Sequence, residues 1–255
     1  MNVPFDKIYC INYVENLERR EFMQFQFKKL GIIDKVEFFN SLDLSKFSID
    51  ILNSFNKYIN SIPVLGCALA HYSCVKQAKL LGYNKILILE DDICFLRDIK
   101  ILEDYLNDLP EDWEYIKYVY PCHISPDTAQ NFFKINKLDK LKYISFKYIG
   151  DKTCCAGAYA LQGKGIDLYI NLMESNKLFP ADLLPFFYSD FIKSPINSYF
   201  CSKNLMLPEL YLRDENIFTN IENIRYFGTP IIKVDDKNDF YLPEKSFVSL
   251  IRDDR

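Results

Sequence analysis

The stretch KILILEDD, residues 85–92, decides the fold class of this chain. Its first five residues, 85–89, form a run that is too short for a helix and apolar on both faces, which is typical of a central parallel strand. Helical periodicity is clear at 65–81, and β-rich runs occur at 6–13 and 155–161. Strands that alternate with helices in this way predict an α/β fold with a mostly parallel central sheet.

The domain organisation follows from the absence of repeats, low-complexity blocks and linkers in the sequence. We predict a single domain over residues 1–255, with 208–255 as a C-terminal extension packed on it. Residues 44–59 alternate at a helical period, and Pro63 is expected to interrupt the chain before the helix at 65–81.

Composition excludes several classes of function. The chain is 49% hydrophobic and its net charge is -4, so no overall field favours nucleic acid or anionic lipid as a partner. The first seven residues lack the pattern of a secretory signal, and no apolar run approaches the roughly 20 residues of a transmembrane segment, so a cytoplasmic location is expected. The eight cysteines are scattered, and the adjacent Cys154 and Cys155 lack the paired spacing of zinc ligands.

Three adjacent carboxylates, Glu90, Asp91 and Asp92, follow the central strand. Ligands of open α/β sheets bind at the carboxyl ends of the strands, which is where this triplet is expected to lie. Neighbouring carboxylates repel one another unless a cation or hydrogen-bond donors offset their charge. Mg²⁺ and Mn²⁺ accept such oxygen ligands and share them with substrate phosphates. The alternative is a solvated loop that caps the next helix.

Six segments together resemble glycosyltransferase family 25, the family of lipopolysaccharide assembly enzymes and their collagen-galactosyltransferase relatives. These segments are INYVENLERR (11–20), GCALAHYSCVKQA (66–78), ILILEDD (86–92), WEYIKY (113–118), CAGAYALQGKGIDLYI (155–170) and FPADLL (179–184). The resemblance implies a GT-A-type fold with an Asp-x-Asp-type metal motif. It also implies inverting transfer of a hexose, with galactose or glucose favoured, from a UDP-sugar to a glycan or hydroxylated-peptide acceptor.

The resemblance also implies roles for the acidic residues. Asp92 is expected to contact Mn²⁺ or Mg²⁺, and Glu90 to face the ribose or a neighbouring amide. Asp91 is placed in the nucleotide-sugar site, with a structural role as its alternative. GT-A enzymes often add a C-terminal histidine to the metal site, and this chain has none there. Asp214 is therefore the expected additional ligand, with Glu215 as the alternative.

The end of the first strand and the following turn supply further candidates for donor binding. Asn12 can hydrogen-bond a base edge and Tyr13 can stack on a ring, so both are expected to face the uracil and ribose. Arg19 and Arg20 carry planar guanidinium groups suited to diphosphate oxygens, although a helix often carries such residues on its solvent face.

Inverting transfer needs a base for the acceptor hydroxyl, and Asp182 is the leading candidate. Its alternative role is a helix N-cap, and Asp190 and Asp214 are further candidates for the base. His71 lies on an apolar helix stripe and is interpreted as a hydrogen-bonded core residue. Two other functions remain open: a non-catalytic GT-A-like binding module, and a sugar nucleotidyltransferase, which usually carries a glycine-rich phosphate loop that this sequence lacks.

Overall fold

Strands and helices alternate along the first half of the chain, as a computed structural model shows. The structure describes residues 3–41, 44, 47–95, 99, 101–119, 143–145, 156–183, 197–201 and 206–208. Its helices are α1 (Leu17–Leu30), α2 (Ile62–Leu80), α3 (Ile101–Leu106) and α4 (Lys164–Ser175). Its strands are β1 (Lys7–Tyr13), β2 (Val36–Ser41), β3 (Lys85–Glu90), β4 (Ile93–Phe95), β5 (Tyr115–Lys117), β6 (Tyr143–Ser145), β7 (Ala158–Gln162), β8 (Ser198–Cys201) and β9 (Met206–Pro208).

Seven of the described strands form one sheet in the order β2-β1-β3-β7-β5-β8-β6, and β4 pairs with β9 in a separate ribbon. Strands β1, β2, β3, β5 and β8 run in one direction, because β1 pairs in parallel with β2 and β3, and β5 pairs in parallel with β8. Strands β7 and β6 run in the opposite direction. Five of the seven described strands therefore share one direction, and the predicted α/β fold with a mostly parallel sheet is confirmed.

Both faces of the sheet are covered, which explains the apolar sequence of β3. Leu87 and Leu89 belong to the core beneath α1, whereas Ile86 and Ile88 belong to the core beneath α2 and α4. All four side chains are fully buried. At about 25 cal/mol per Å² of buried apolar surface, such two-sided burial makes β3 a major source of stability.

The chain changes direction across the sheet at β1. It leaves β1 through α1 to reach β2 on one side, and leaves β2 through α2 to reach β3 on the other side of β1. The carboxyl ends of β1 and β3 therefore border a crevice, and the register places Ile11 beside Glu90 there. Such a switch point is where open α/β sheets bind their ligands.

Two expected elements differ from the structure. Residues 44–59 do not form one helix; within the described part of this segment only Ile49–Ser54 is helical, as a 3-10 turn capped by the Ser48 side chain. Pro63 does not interrupt the chain but lies in the first turn of α2, after the capping residue Ser61. Proline is tolerated there because the first N–H groups of a helix have no intrahelical partner.

The proposed C-terminal extension at 208–255 lies outside the described residues apart from Pro208, which pairs with Ile93. Among the helices that the structure describes, we found none with the length and apolar character needed to cross a bilayer.

Candidate functional site

A cleft of about 480 Å³ opens at the switch point between β1 and β3. Four parts of the chain line it: the end of β1 with the turn and helix that follow, residues 41 and 44 at the end of β2, the N-terminal half of α2, and the whole acidic triplet. The polar or reactive side chains among the lining residues are Tyr13, Asn16, Arg19, Ser41, Cys67, His71, Glu90, Asp91 and Asp92. The cleft therefore brings together most of the residues predicted to bind the donor.

Asp91 is the buried member of the triplet, with 7% of its surface exposed. Its Oδ2 accepts a hydrogen bond of 2.8 Å from Asn12 Nδ2, and its Oδ1 accepts one of 2.8 Å from Arg19 Nη1. The side chain of Asn12 is itself buried and also donates to the Asn16 carbonyl oxygen. Both Asp91 oxygens thus fix the loop after β1, which supports the structural alternative for Asp91.

This network also decides where Asn12 lies. The residue was predicted to face the uracil, but the structure places it beneath the cleft, where it is 1% exposed, rather than in the cleft wall. Tyr13 does line the cleft, and its hydroxyl donates to Glu15.

The two arginines point in different directions. Arg19 lines the cleft, and its guanidinium lies between the carboxylates of Asp91 and Asp92. Arg20 instead donates to Asn40 at the end of β2 and stacks over the Phe38 ring at 4.6 Å. The structure therefore places Arg19 in the candidate site and Arg20 outside it.

Asp92 offers the oxygens best suited to a hard cation. Its side chain is 29% exposed and lines the cleft, and its Oδ2 lies 3.8 Å from Arg19 Nη1. Mg²⁺ and Mn²⁺ typically take one or two carboxylates and leave further positions for water and phosphate. Asp92, which lines the cleft, fits that requirement.

Glu90 is held by a buried histidine. His71 is fully buried; its Nε2 lies 3.3 Å from Glu90 Oε1 and its Nδ1 lies 2.9 Å from the Tyr159 hydroxyl. Burial favours the neutral ring, but Cys67 and the Glu90 carboxylate outweigh it and raise the pKa of His71. His71 is thus hydrogen-bonded as expected, and it also forms part of the cleft floor.

Asp182 lies in the 3-10 turn Ala181–Leu183, close to the triplet but outside the cleft wall. Its Oδ1 accepts a hydrogen bond of 2.7 Å from the Ala156 backbone N–H, and the next residue, Gly157, accepts one from the Glu90 N–H. The residue is exposed as a whole, yet the surrounding protein desolvates its carboxyl group. That desolvation and the nearby Glu90 raise the pKa of Asp182 above its usual value.

Sequence reasoning missed Lys117, a fully buried lysine at the end of β5. It shares a sheet face with Tyr115, two residues earlier, whose ring stacks on Tyr159. Its positive charge acts to lower the pKa of Asp182. A lysine in an otherwise apolar strand was the available signal, because buried lysines are rare.

Several residues that the sequence analysis weighed for a site role lie outside the part of the chain that the structure describes. They are Cys154, Cys155, Asp190, Asp214 and Glu215.

Comparison with known proteins settles the family. The model of "Glycosyltransferase family 25 (LPS biosynthesis protein)" matches residues 5–184, which include both sides of the cleft and Asp182. The chain belongs to glycosyltransferase family 25. The resemblance carried by the six sequence segments is therefore confirmed, and this family 25 member has the GT-A-type fold class that the resemblance implied.

Curated relatives of this family 25 member are much longer than the chain. It is 24% identical over 217 residues to human procollagen galactosyltransferase 2, covering 79% of the chain and 33% of the relative. It is 33% identical over 110 residues to a glycosyltransferase 25 family member from Aedes aegypti, covering 36% of the chain and 18% of the relative. The chain spans a third or less of the curated relatives it matches.

Solved structures show a looser similarity. A glycosyltransferase involved in glycosylation of the major capsid of PBCV-1 superposes with a TM-score of 0.46 at 10% identity, covering 79% of the chain and 91% of that structure. The galactosyltransferase LgtC, in complex with donor and acceptor sugar analogs, gives 0.34 at 10% identity, covering 71% and 70%. Because both TM-scores are below 0.5, the fold assignment rests on the family match and the strand order.

Proposed function

We propose that this family 25 member is a metal-dependent hexosyltransferase that moves galactose or glucose from a UDP-sugar to a glycan or hydroxylated-peptide acceptor with inversion. The observation that carries the proposal is the cleft at the β1–β3 switch point, which places Arg19, Glu90 and Asp92 around one space. A cation and an arginine facing the same space suit a diphosphate. The name of the human relative, a procollagen galactosyltransferase, supports galactose and a collagen-like acceptor.

In this proposal Asp92 holds Mn²⁺ or Mg²⁺, with Asp214 as a further ligand and Glu90 facing the ribose. The bound cation offsets the negative charge of the departing UDP. Arg19, already oriented by Asp91, adds donors for the diphosphate oxygens, and Tyr13 offers a ring for the uracil.

Asp182 is the proposed base for the acceptor hydroxyl. Among the described residues, the Ala156 N–H donates to Oδ1 of its carboxyl, and in this proposal Oδ2 takes the proton. The raised pKa of Asp182 is closer to the pKa of the hydroxyl that it must deprotonate, which makes the carboxylate a stronger base. Lys117 limits this rise by favouring the ionised form.

The proposal is tested by UDP release from UDP-galactose and UDP-glucose, with hydroxylysine peptides and glycans as acceptors, in Mn²⁺ and in EDTA. We expect metal-dependent release with one donor. Removal of one preorganised group that stabilises transition-state charge typically costs about 10²–10³ in kcat, and Asp92→Asn, which weakens the hold on the cation, should reduce release by about that factor. Asp167→Asn removes an exposed carboxylate on α4 that pairs with Lys79, and should leave the rate unchanged.

The stereochemical part has its own readout. Proton NMR of the new glycosidic linkage should show an anomeric configuration opposite to that of the sugar in the UDP-sugar donor. Retention would contradict the assignment of Asp182 as a base, and equal UDP release in EDTA would contradict the metal assignment.

A further inference from the structure

One group of ligand atoms in the cleft floor includes two side chains, Cys67 and His71, that the proposed donor chemistry does not use. Cys67 Sγ, a ring nitrogen of His71 and a carboxylate oxygen of Glu90 lie within 4.8 Å of one another. Cys67 and His71 are four residues apart on α2 and so share one helix face, whereas Glu90 comes from the end of β3. The fold therefore assembles three different ligand types at a single point.

The histidine is oriented as metal-bound histidines are. Its Nδ1 lies 2.9 Å from the Tyr159 hydroxyl, and its ring stacks on Tyr159 with centroids 5.6 Å apart. Tyr159 donates its own hydroxyl proton to the Tyr169 hydroxyl, 3.5 Å away, and can therefore accept from Nδ1–H. Loss of the Nε2 proton on metal binding would leave a lone pair that faces Glu90 and the cleft, while the hydrogen bond on the opposite nitrogen orients the ring, as is usual for metal-bound histidine.

We propose that Cys67, His71 and Glu90 bind a single Zn²⁺ ion, with the fourth position open to the cleft. Zinc bonds of about 2.0–2.3 Å place tetrahedral ligand atoms roughly 3.4–3.7 Å apart, close to the 3.3 Å between His71 Nε2 and Glu90 Oε1. The Glu90 side chain is 30% exposed and can turn to complete the geometry. On binding, the Cys67 thiol and the Nε2–H of protonated His71 each release a proton to solvent.

The ligand set selects against the cation of the proposed donor site. A thiolate and an imidazole favour zinc, whereas Mn²⁺ and Mg²⁺ favour carboxylates, phosphates and water. The two sites share only Glu90, which the proposed function assigns to the ribose. Zinc at this site would thus withdraw Glu90 from the donor and inhibit transfer. This inhibition rests on the proposed function, whereas zinc binding does not.

Cobalt provides a direct probe, because Co²⁺ bound to a thiolate gives near-ultraviolet charge-transfer absorption and four-coordinate visible bands. We expect both with the reduced full-length chain, one equivalent of Co²⁺, and their loss when Zn²⁺ is added. Cys67→Ser should remove the charge-transfer band and lower zinc affinity by about tenfold or more in competition with a chromophoric chelator. Tyr159→Phe keeps the ligands but loses the hydroxyl, and should lower zinc affinity by about 10–100-fold.

Two control variants show whether the cobalt spectrum arises from these three ligands. Cys74→Ala changes a buried thiol of the same helix and should leave the cobalt spectrum intact. Asp92→Asn should strongly reduce transfer but retain zinc binding, so the two proposals fail independently. A wild-type cobalt spectrum without thiolate bands, or one that Cys67→Ser leaves unchanged, would overturn the proposed site. Circular dichroism of each variant checks that its fold is retained.

Discussion

Alanine substitutions at the adjacent residues Asp91 and Asp92 should affect different properties of the protein, the first its stability and the second its metal binding. Asp91 is 7% exposed and accepts two hydrogen bonds of 2.8 Å, whereas Asp92 is partly exposed and lies 3.8 Å from Arg19. We expect Asp91→Ala to destabilise the fold, and Asp92→Ala to leave stability nearly unchanged while removing the metal ligand.

The expected loss of stability in Asp91→Ala follows from the two hydrogen-bond donors that lose their acceptor. The buried bond from Asn12 is charge-assisted and contributes about 1.5–3 kcal/mol, because its loss leaves a buried amide donor without an acceptor. The bond from Arg19 involves a side chain that is 31% exposed, and water can replace much of this bond, so it adds about 0.2–1 kcal/mol. Asp91→Ala should therefore lower the free energy of unfolding by about 2–4 kcal/mol, and Asp92→Ala by less than about 1 kcal/mol.

Urea denaturation without metal measures both values, with the fluorescence of the buried Trp113 as the probe. Asp91→Asn serves as an intermediate control, because it keeps an acceptor for Asn12 but loses the charge. Equal destabilisation by the two alanine variants, or none with Asp91→Ala, would refute the division of the triplet into one structural and one ligand-binding carboxylate.

Three further predictions concern other parts of the chain. Arg19→Lys should weaken UDP binding by about tenfold, because the planar donor pair is lost, whereas Arg20→Lys should not change it; calorimetry distinguishes the two. Burial and the neighbouring Glu90 raise the pKa of Asp182, and a base must be ionised, so kcat/KM should fall with decreasing pH, at a higher pH than for an ordinary aspartate. Asp182→Asn should remove that acid limb together with most activity. Gly165→Ala should cost about 1–3 kcal/mol in urea denaturation, since its Cβ would lie 2.0 Å from the Glu114 carbonyl oxygen.

The sequence predicted the elements whose pattern is local. The strand at 85–89 and the helix at 65–81 follow from apolar runs and periodicity, and both are present with shifted ends. The direction of β7 was not predictable in this way, because a buried strand has the same composition whether it runs parallel or antiparallel to its neighbour. The helix predicted over 44–59 was wrong. The Ser48 side chain instead caps a short 3-10 helix at Ile49–Ser54, a local hydrogen bond that competes with a longer α-helix.

The candidate site likewise has features that a local sequence pattern predicts and features that depend on tertiary packing. The acidic triplet was visible in the sequence, but the different environments of Asp91 and Asp92 depend on Asn12 and Arg19, some 70 to 80 residues earlier. Cys67 and His71 have a helical spacing that predicts only a shared face. Their convergence with Glu90 arises from the packing of α2 against the end of β3 and has no signal in the sequence.

Calorimetric titration of the wild-type chain and Asp92→Ala with UDP, each in Mn²⁺ and in EDTA, tests the central claim most directly. We predict that wild type binds UDP in Mn²⁺, and that EDTA and the substitution each weaken binding by about tenfold or more, which corresponds to about 1.4 kcal/mol. Equal UDP affinity in all four titrations, or no binding in any, would contradict a metal-dependent nucleotide-sugar site at this cleft.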